Sequence, residues 1–135
     1  MKDSRTVLGV LGLCFLVVAL QAFFEPLRLL GHLELHITGI SGFAEIRAGY
    51  SGTFFTLAYV CRVGVVDENL RPFVLKIVSM VLGIFSVARF ASLGWDGQPN
   101  DFSLLIHVAE TLGFFACFRA WWFGERGNGD EVIAK

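Results

Sequence analysis

The sequence predicts an all-α protein, a four-helix transmembrane bundle with both termini in the cytoplasm. Of its 135 residues, 55% are hydrophobic and 17% are charged, whereas an average soluble domain is about 25% charged. The apolar residues come in long blocks that one soluble core of this size could hardly bury. Because about 20 apolar residues cross a bilayer as a helix, we predict four spans, over about residues 6–24, 43–63, 73–93 and 104–123.

The first span follows a short basic leader at residues 1–5. Glu25-Pro26 ends it, because proline pushes the preceding residue out of helical geometry. The alternative is a cleaved signal peptide with Ala22 just before the cut. We favour a retained span, since the apolar run is long for a signal peptide and three more apolar runs follow it.

The connection over residues 26–41 is too polar and too short to span. Within it, residues 32–38 alternate polar and apolar side chains, which predicts a strand or an extended segment on a surface. His32, Glu34 and His36 would then point the same way, and two histidines with a carboxylate can bind zinc. We favour the alternative, a solvated polar face over the bundle.

The second span carries a stripe of small and polar residues at helical spacing. Its members are Glu45, Gly49, Gly52, Thr56 and Tyr59. Small residues allow close backbone approach between membrane helices, so this stripe is predicted to face the neighbouring helices. Arg47 lies almost opposite Glu45 and is predicted to reach the headgroups or an adjacent helix by snorkelling.

The third span begins after Pro72, which suits a first helical turn. Its predicted packing face consists of Ser79, Gly83 and Ser86. Residues 94–101 are dense in turn formers, and either Asp101 or Ser103 is predicted to cap the fourth span. That span ends at Trp121-Trp122, a pair typical of a membrane interface. Residues 124–135 are predicted to form a flexible cytoplasmic tail.

The distribution of lysine and arginine predicts the orientation. With a cytoplasmic N-terminus, that side holds Lys2, Arg5, Arg62, Arg71, Lys76, Arg119, Arg126 and Lys135. The other side holds Arg28, Arg47 and Arg89. Cytoplasmic segments carry the excess of positive residues, so both termini are predicted to be cytoplasmic.

Five ionisable residues fall at a similar depth near the outer ends of the last three spans. They are Glu45, Arg47, Arg89, His107 and Glu110, all within about 9 Å of those ends at about 1.5 Å per residue. The first interpretation is structural: Arg89 pairs with Glu110 or Glu45 and fixes helix register. The second is a wet, outward-facing crevice that binds a small anion, a lipid headgroup or a protein partner. The third is proton relay or catalysis by His107 and Glu110.

Three short motifs resemble those of a known family. The run Glu45-Ile-Arg-Ala-Gly-Tyr-Ser-Gly52, then Ala88-Arg89 and Asp96-Gly97, resembles an uncharacterised family of small four-helix bacterial membrane proteins. The resemblance covers roughly residues 6–122 and departs at Ser51, where glycine is expected. It implies one shared site, made of Glu45, Arg47, Tyr50, Arg89 and Asp96. It implies no activity.

These observations limit the classes of function. The net charge is −1, which leaves no basic face for nucleic acid. Cys14, Cys61 and Cys117 lack metal or redox spacing and are predicted to be small apolar fillers, and no cofactor is predicted. We predict a multi-pass protein of the bacterial inner (plasma) membrane. Beside the lipid bilayer, its partners are a membrane protein or a second copy of the chain.

The leading hypothesis for function is a non-enzymatic accessory or interaction protein. Its outward-facing polar cluster would dock a partner or a lipid. An oligomeric small-solute transporter or channel subunit is one alternative. A membrane enzyme that uses His107 and Glu110 is the other.

Overall fold

The computed structural model describes residues 2–36 and 39–133, and everything it describes is helix, turn or irregular connection. In chain order the elements are α1 (Lys2–Phe24), α2 (Pro26–His32), α3 (Ile40–Glu45), a π-helical segment (Ile46–Ser51), α4 (Gly52–Val66), α5 (Arg71–Trp95) and α6 (Asp101–Ile133). The prediction of an all-α fold is confirmed for these residues. Helix α6 continues through most of the segment that the sequence assigns to a tail.

In the described part of the chain, three helices are long and apolar enough to cross a membrane: Asp3–Phe24, Arg71–Trp95 and Asp101–Gly124. They coincide with the first, third and fourth predicted spans. The second predicted span, residues 43–63, falls on three consecutive elements that are helical from Ile40 to Val66. The π-helical segment divides this path, so α4 alone has 15 residues, fewer than the roughly 20 that a bilayer requires.

The long helices pack side by side around one core. Helix α1 packs against α4 and α6, and α5 packs against the same two helices. The buried core residues are Leu8, Phe15, Leu57, Cys61, Val74, Leu75, Val78, Leu82 and Cys117. All three cysteines are free. Cys61 and Cys117 are the core fillers that the sequence predicts, whereas Cys14 is exposed.

The start of α1 and the later part of α6 lie at the same end of the molecule. Asp3 and Arg119 line one groove there, and the Lys76 ammonium lies 5.5 Å from the centroid of the Trp121 ring. The opposite end is held by polar contacts between connections and helix ends. Asn100 Nδ2 donates to the carbonyl oxygen of His32 at 2.9 Å.

Arg71 closes the turn between α4 and α5 as a buried cation. Its Nε donates to the Gly64 carbonyl oxygen at 2.9 Å and its Nη2 to that of Val65 at 3.4 Å. The last carbonyls of a helix have no partner within the helix, and a cation there also complements the helix dipole. Arg71 is thus a C-terminal cap of α4, a role that its place in a charged turn does not reveal.

The structure corrects the prediction for the first connection. Residues 32–38 do not form the predicted strand where the structure describes them: His32 ends helix α2 (Pro26–His32), Leu33 and Glu34 form a turn, and residues 37–38 lie outside the described residues. Pro26, Leu29 and Leu30, the buried residues of α2, precede the alternating run. Glu34, at φ +58°, turns the chain after the helix.

The predicted packing face of the second span is also wrong. Glu45, Gly49, Thr56 and Tyr59 are exposed, and the buried residues are Ser51, Leu57, Cys61 and Gly64. The threonine hydroxyls form hydrogen bonds with the backbone of their own helix: Thr53 Oγ1 and Thr56 Oγ1 donate to carbonyl oxygens four residues back, at 2.6 and 2.9 Å. A polar stripe can therefore face outward, because threonine can bond its own helix backbone. On α5 the prediction holds, since Ser79 and Ser86 are buried.

Candidate functional site

An ion pair between α5 and α6 forms the centre of the candidate site. Arg89 Nε donates to Glu110 Oε2 at 2.7 Å, and Nη2 donates to Oε1 at 3.3 Å. The side chains are 31% and 11% exposed, so the carboxylate is largely withdrawn from solvent. A bidentate arginine–carboxylate pair is strong and fixes orientation. The prediction that Arg89 contacts a carboxylate is confirmed.

The pair is supported one turn deeper by a second polar contact. Ser86 Oγ and Thr111 Oγ1 lie 3.0 Å apart across the same helix interface. Ser86 precedes Arg89 by three residues and Thr111 follows Glu110, so both contacts set the same register between α5 and α6. Polar contacts between membrane helices average about 0.6 kcal/mol. They therefore orient the pair more than they stabilise the fold.

An apolar crevice of about 460 Å³ opens beside the ion pair. Its walls are Gly49, Tyr50, Thr53, Phe54, Phe85, Ala88, Arg89 and Glu110. They come from the helical stretch over residues 40–66, from α5 and from α6. Glu110 is the wall residue that belongs to α6. Arg89 lies in the wall of this crevice, but the walls are largely apolar, whereas the sequence predicts a wet crevice.

The other side of Arg89 faces a polar hollow of about 230 Å³. It is lined by Arg89, Ser92, Leu93, Asp96, Gly97, Gln98, Pro99, Ser103, Leu104 and His107. Ser92 Oγ donates to Asp96 Oδ2 at 2.6 Å, which orients the carboxylate. Asn100 caps α6, since its Oδ1 accepts from the Ser103 amide at 2.9 Å. The N-terminal cap of α6 is therefore Asn100, and not Asp101 or Ser103 as predicted.

His107 forms part of the wall of the polar hollow and is 7% exposed. Its ring meets Phe90 edge-on, with centroids 4.3 Å apart. Nε2 is buried and has no hydrogen-bond partner among the described residues. Leaving such a group unpaired costs roughly 1–3 kcal/mol. His107 lines the hollow, whereas Glu110 lines the crevice.

Among the described residues, Arg89 alone lines both spaces. Phe85 lies about 6 Å deeper along α5, and Asp96 lies about 10 Å in the opposite direction, at about 1.5 Å per residue. Trp95, beside Asp96, is 85% exposed, and exposed tryptophans favour the membrane–water boundary. Along α5 the site therefore passes from a polar end beside Trp95, through a cation, to an apolar end.

Two of the predicted site residues lie elsewhere. Glu45 is exposed and forms no ion pair with any described residue. Arg47 Nε donates to the carbonyl oxygen of Phe23 at 3.1 Å, so it caps the C-terminal end of α1. This is the adjacent-helix contact that its position opposite Glu45 predicts. The implied single cluster thus separates into a capping residue, an exposed acid and the residues around Arg89.

The π-helical segment positions Tyr50 and Ser51. Each π-helical turn contains an extra residue, which shifts the faces of the helix on either side, and such segments frequently mark functional sites. Tyr50 lines the apolar crevice, while Ser51 is fully buried and its Oγ donates to the Ala19 carbonyl oxygen at 2.9 Å. The serine that stands where glycine is expected thus ties the segment to α1.

A metal site receives no support from the described residues. No three His, Cys, Asp or Glu side chains in the described parts of the chain group closely enough to hold an ion. His32 ends α2, Glu34 lies in the turn after it, and His36 lies in the irregular segment that follows. The His32 ring instead contacts Phe102, with centroids 5.0 Å apart.

An all-helical fold with three helices of membrane-crossing length, and an ion pair held between two of them, fits a small membrane protein. The chain belongs to the family described as "Domain of unknown function (DUF4345)", whose model matches residues 4–122. This confirms the resemblance to an uncharacterised family. No curated protein and no solved structure matches the chain.

Proposed function

We propose that the protein is a non-enzymatic membrane protein that docks a phospholipid at Arg89. One acyl chain would lie in the apolar crevice, and the headgroup would lie in the polar hollow. The observation that carries this proposal is that Arg89 forms the wall of both spaces. A lipid has the same sequence of parts along the membrane normal, a polar group at the boundary and an apolar chain beneath it.

The state of Arg89 favours a lipid over a small free anion. Two of its three guanidinium nitrogens already donate to Glu110, so the pair is close to neutral as a unit. A free anion would have to compete with that carboxylate for the cation. An acyl chain gains instead from the apolar walls, at about 0.8 kcal/mol for each buried CH₂ group.

The same geometry disfavours catalysis by His107 and Glu110. A general base must reach the proton that it abstracts. Both carboxylate oxygens of Glu110 already accept hydrogen bonds from Arg89, and Glu110 lines the crevice while His107 lines the hollow. Transport by an oligomer would require a path through the bundle. Neither the crevice nor the hollow supplies one, since their lining on α5 runs only from Phe85 to Asp96, about 17 Å of the helix.

We further propose four spans, with residues 40–66 as the second, in the bacterial inner membrane. The continuous helical stretch over residues 40–66 supports the second span. The positive residues at the end of the molecule that holds Arg119 and Lys76 support a cytoplasmic location for both termini. In single-cysteine variants, Leu35→Cys and Gln98→Cys should react with an impermeant reagent from outside. Glu68→Cys should react only from inside, and the reverse pattern would exclude this topology.

Lipid docking is tested by purification in mild detergent followed by native mass spectrometry. The wild-type protein should retain about one phospholipid. Ala88→Trp should lose it, because the indole would fill the crevice. Val87→Trp is the matched control, since Val87 is 68% exposed and does not line the crevice.

The other classes of function predict different results in the same preparation. A stoichiometric protein partner without lipid would contradict lipid docking and favour an accessory subunit. A homo-oligomer that conducts solutes in liposomes would favour transport. Equal lipid retention by wild type and Ala88→Trp would place the retained lipid outside the crevice and refute the proposal.

A further inference from the structure

We infer that the docked lipid carries a zwitterionic headgroup with a primary ammonium, as phosphatidylethanolamine does. This inference rests on the proposed function and assigns the chemistry of its headgroup. It comes from the charges around the polar hollow, which include both a cation and a carboxylate.

The donor side of the hollow is Arg89. The contacts to Glu110 use Nε and Nη2, so Nη1 takes no part in the pair. A guanidinium nitrogen is a strong donor to a phosphate oxygen. Arg89 lies deeper than Asp96 along α5, and the phosphate of a phospholipid lies deeper than the terminal group of its headgroup.

The acceptor side is Asp96. Its Oδ2 accepts from Ser92, and the residue is exposed beside Trp95 at the polar end of α5. Asp96 follows Arg89 by seven residues, so both lie on the same face of the helix, two turns apart. When the phosphate of the headgroup lies at the Arg89 guanidinium, the ammonium, which is nearer the membrane boundary, therefore lies at the Asp96 carboxylate.

The sum of charges selects among headgroups. Arg89 contributes one positive charge, and Glu110 and Asp96 contribute two negative charges, so these three residues sum to −1. An anionic headgroup such as phosphatidylglycerol meets a net negative site. A trimethylammonium, as in phosphatidylcholine, has no N–H to donate to Asp96. The primary ammonium offers both the charge and the donors.

The test uses the full-length protein in nanodiscs of equimolar dioleoyl phosphatidylethanolamine, phosphatidylglycerol and phosphatidylcholine. After extraction into mild detergent, native mass spectrometry gives the ratio of the retained species. Wild type should retain phosphatidylethanolamine over either competitor by about tenfold, the ratio that one strong charge-assisted hydrogen bond supplies. Asp96→Asn should remove this preference and still retain lipid.

Asp101→Asn is the matched control, because it removes the same charge at the same end of the molecule from a residue outside the hollow. It should keep the wild-type ratio. Lipid retained by wild type without a preference, or with a preference that Asp96→Asn leaves unchanged, would overturn the headgroup assignment and leave lipid docking intact. Absence of retained lipid in wild type would overturn both.

Discussion

Arg89→Ala should lower the free energy of unfolding by about 3 kcal/mol and sharply reduce accumulation in the membrane. Removing one partner of a buried ion pair costs about 3–5 kcal/mol, and the 31% exposure of Arg89 places this site at the lower end. The loss comes from Glu110, which is 11% exposed and would remain as an unpaired charge. Thermal unfolding in detergent measures the effect.

The double variant Arg89→Ala with Glu110→Ala tests whether the loss of stability comes from the unpaired carboxylate. It should be no less stable than Arg89→Ala alone, because no unpaired carboxylate is left. Arg28→Ala is the matched control: its pair with Glu25 has a similar distance, 3.1 Å, but the side chains are 69% and 56% exposed. Exposed pairs contribute little. Equal losses at Arg28 and Arg89 would contradict the account of the buried pair.

Gly64→Leu should prevent stable accumulation, and Gly64→Ala should lower the free energy of unfolding by about 1–3 kcal/mol. A Cβ at Gly64 would lie 2.7 Å from Leu8 Cδ1 and 2.8 Å from Val74 Cγ1. Leu8 is fully buried, and the β-branched Val74 has one strongly preferred rotamer in a helix. Neither can move aside without a shift of the backbone.

Gly9→Ala tests whether this loss is specific to the close contact. A Cβ at Gly9 meets no atom within 4 Å, and alanine has the higher helix propensity by up to about 1 kcal/mol. Gly9→Ala should therefore be as stable as wild type or slightly more so. If Gly64→Ala is equally neutral, α1, α4 and α5 do not approach one another as described.

The fold could be predicted largely because membrane helices are long apolar runs. Residues 73–93 and the observed Arg71–Trp95 differ by only two residues at each end. The π-helical segment could not be predicted, since no periodicity distinguishes one extra residue per turn within an apolar run. This segment accounts for part of the error in the predicted packing face of the second span. The outward-facing threonines account for another part.

The site could be predicted where charge alone decides its location. An arginine inside a membrane span needs an acid as partner, and Glu110 is one of the two acids at the correct depth. The separation of Arg47 from Arg89 could not be predicted, because a backbone acceptor such as the Phe23 carbonyl leaves no signal in the sequence. The two spaces beside Arg89 likewise depend on how far the helices diverge, which residue spacing does not specify.

The most direct measurement of lipid docking at Arg89 is photo-crosslinking with phosphatidylethanolamine that carries a diazirine in its acyl chain. Adducts in nanodiscs should concentrate at residues 49–54 and 85–88. Adducts at these positions should be lost in Ala88→Trp and retained in Val87→Trp. Adducts spread over exposed side chains such as Val10 and Leu13, 58% and 63% exposed, without enrichment at the crevice would contradict lipid docking.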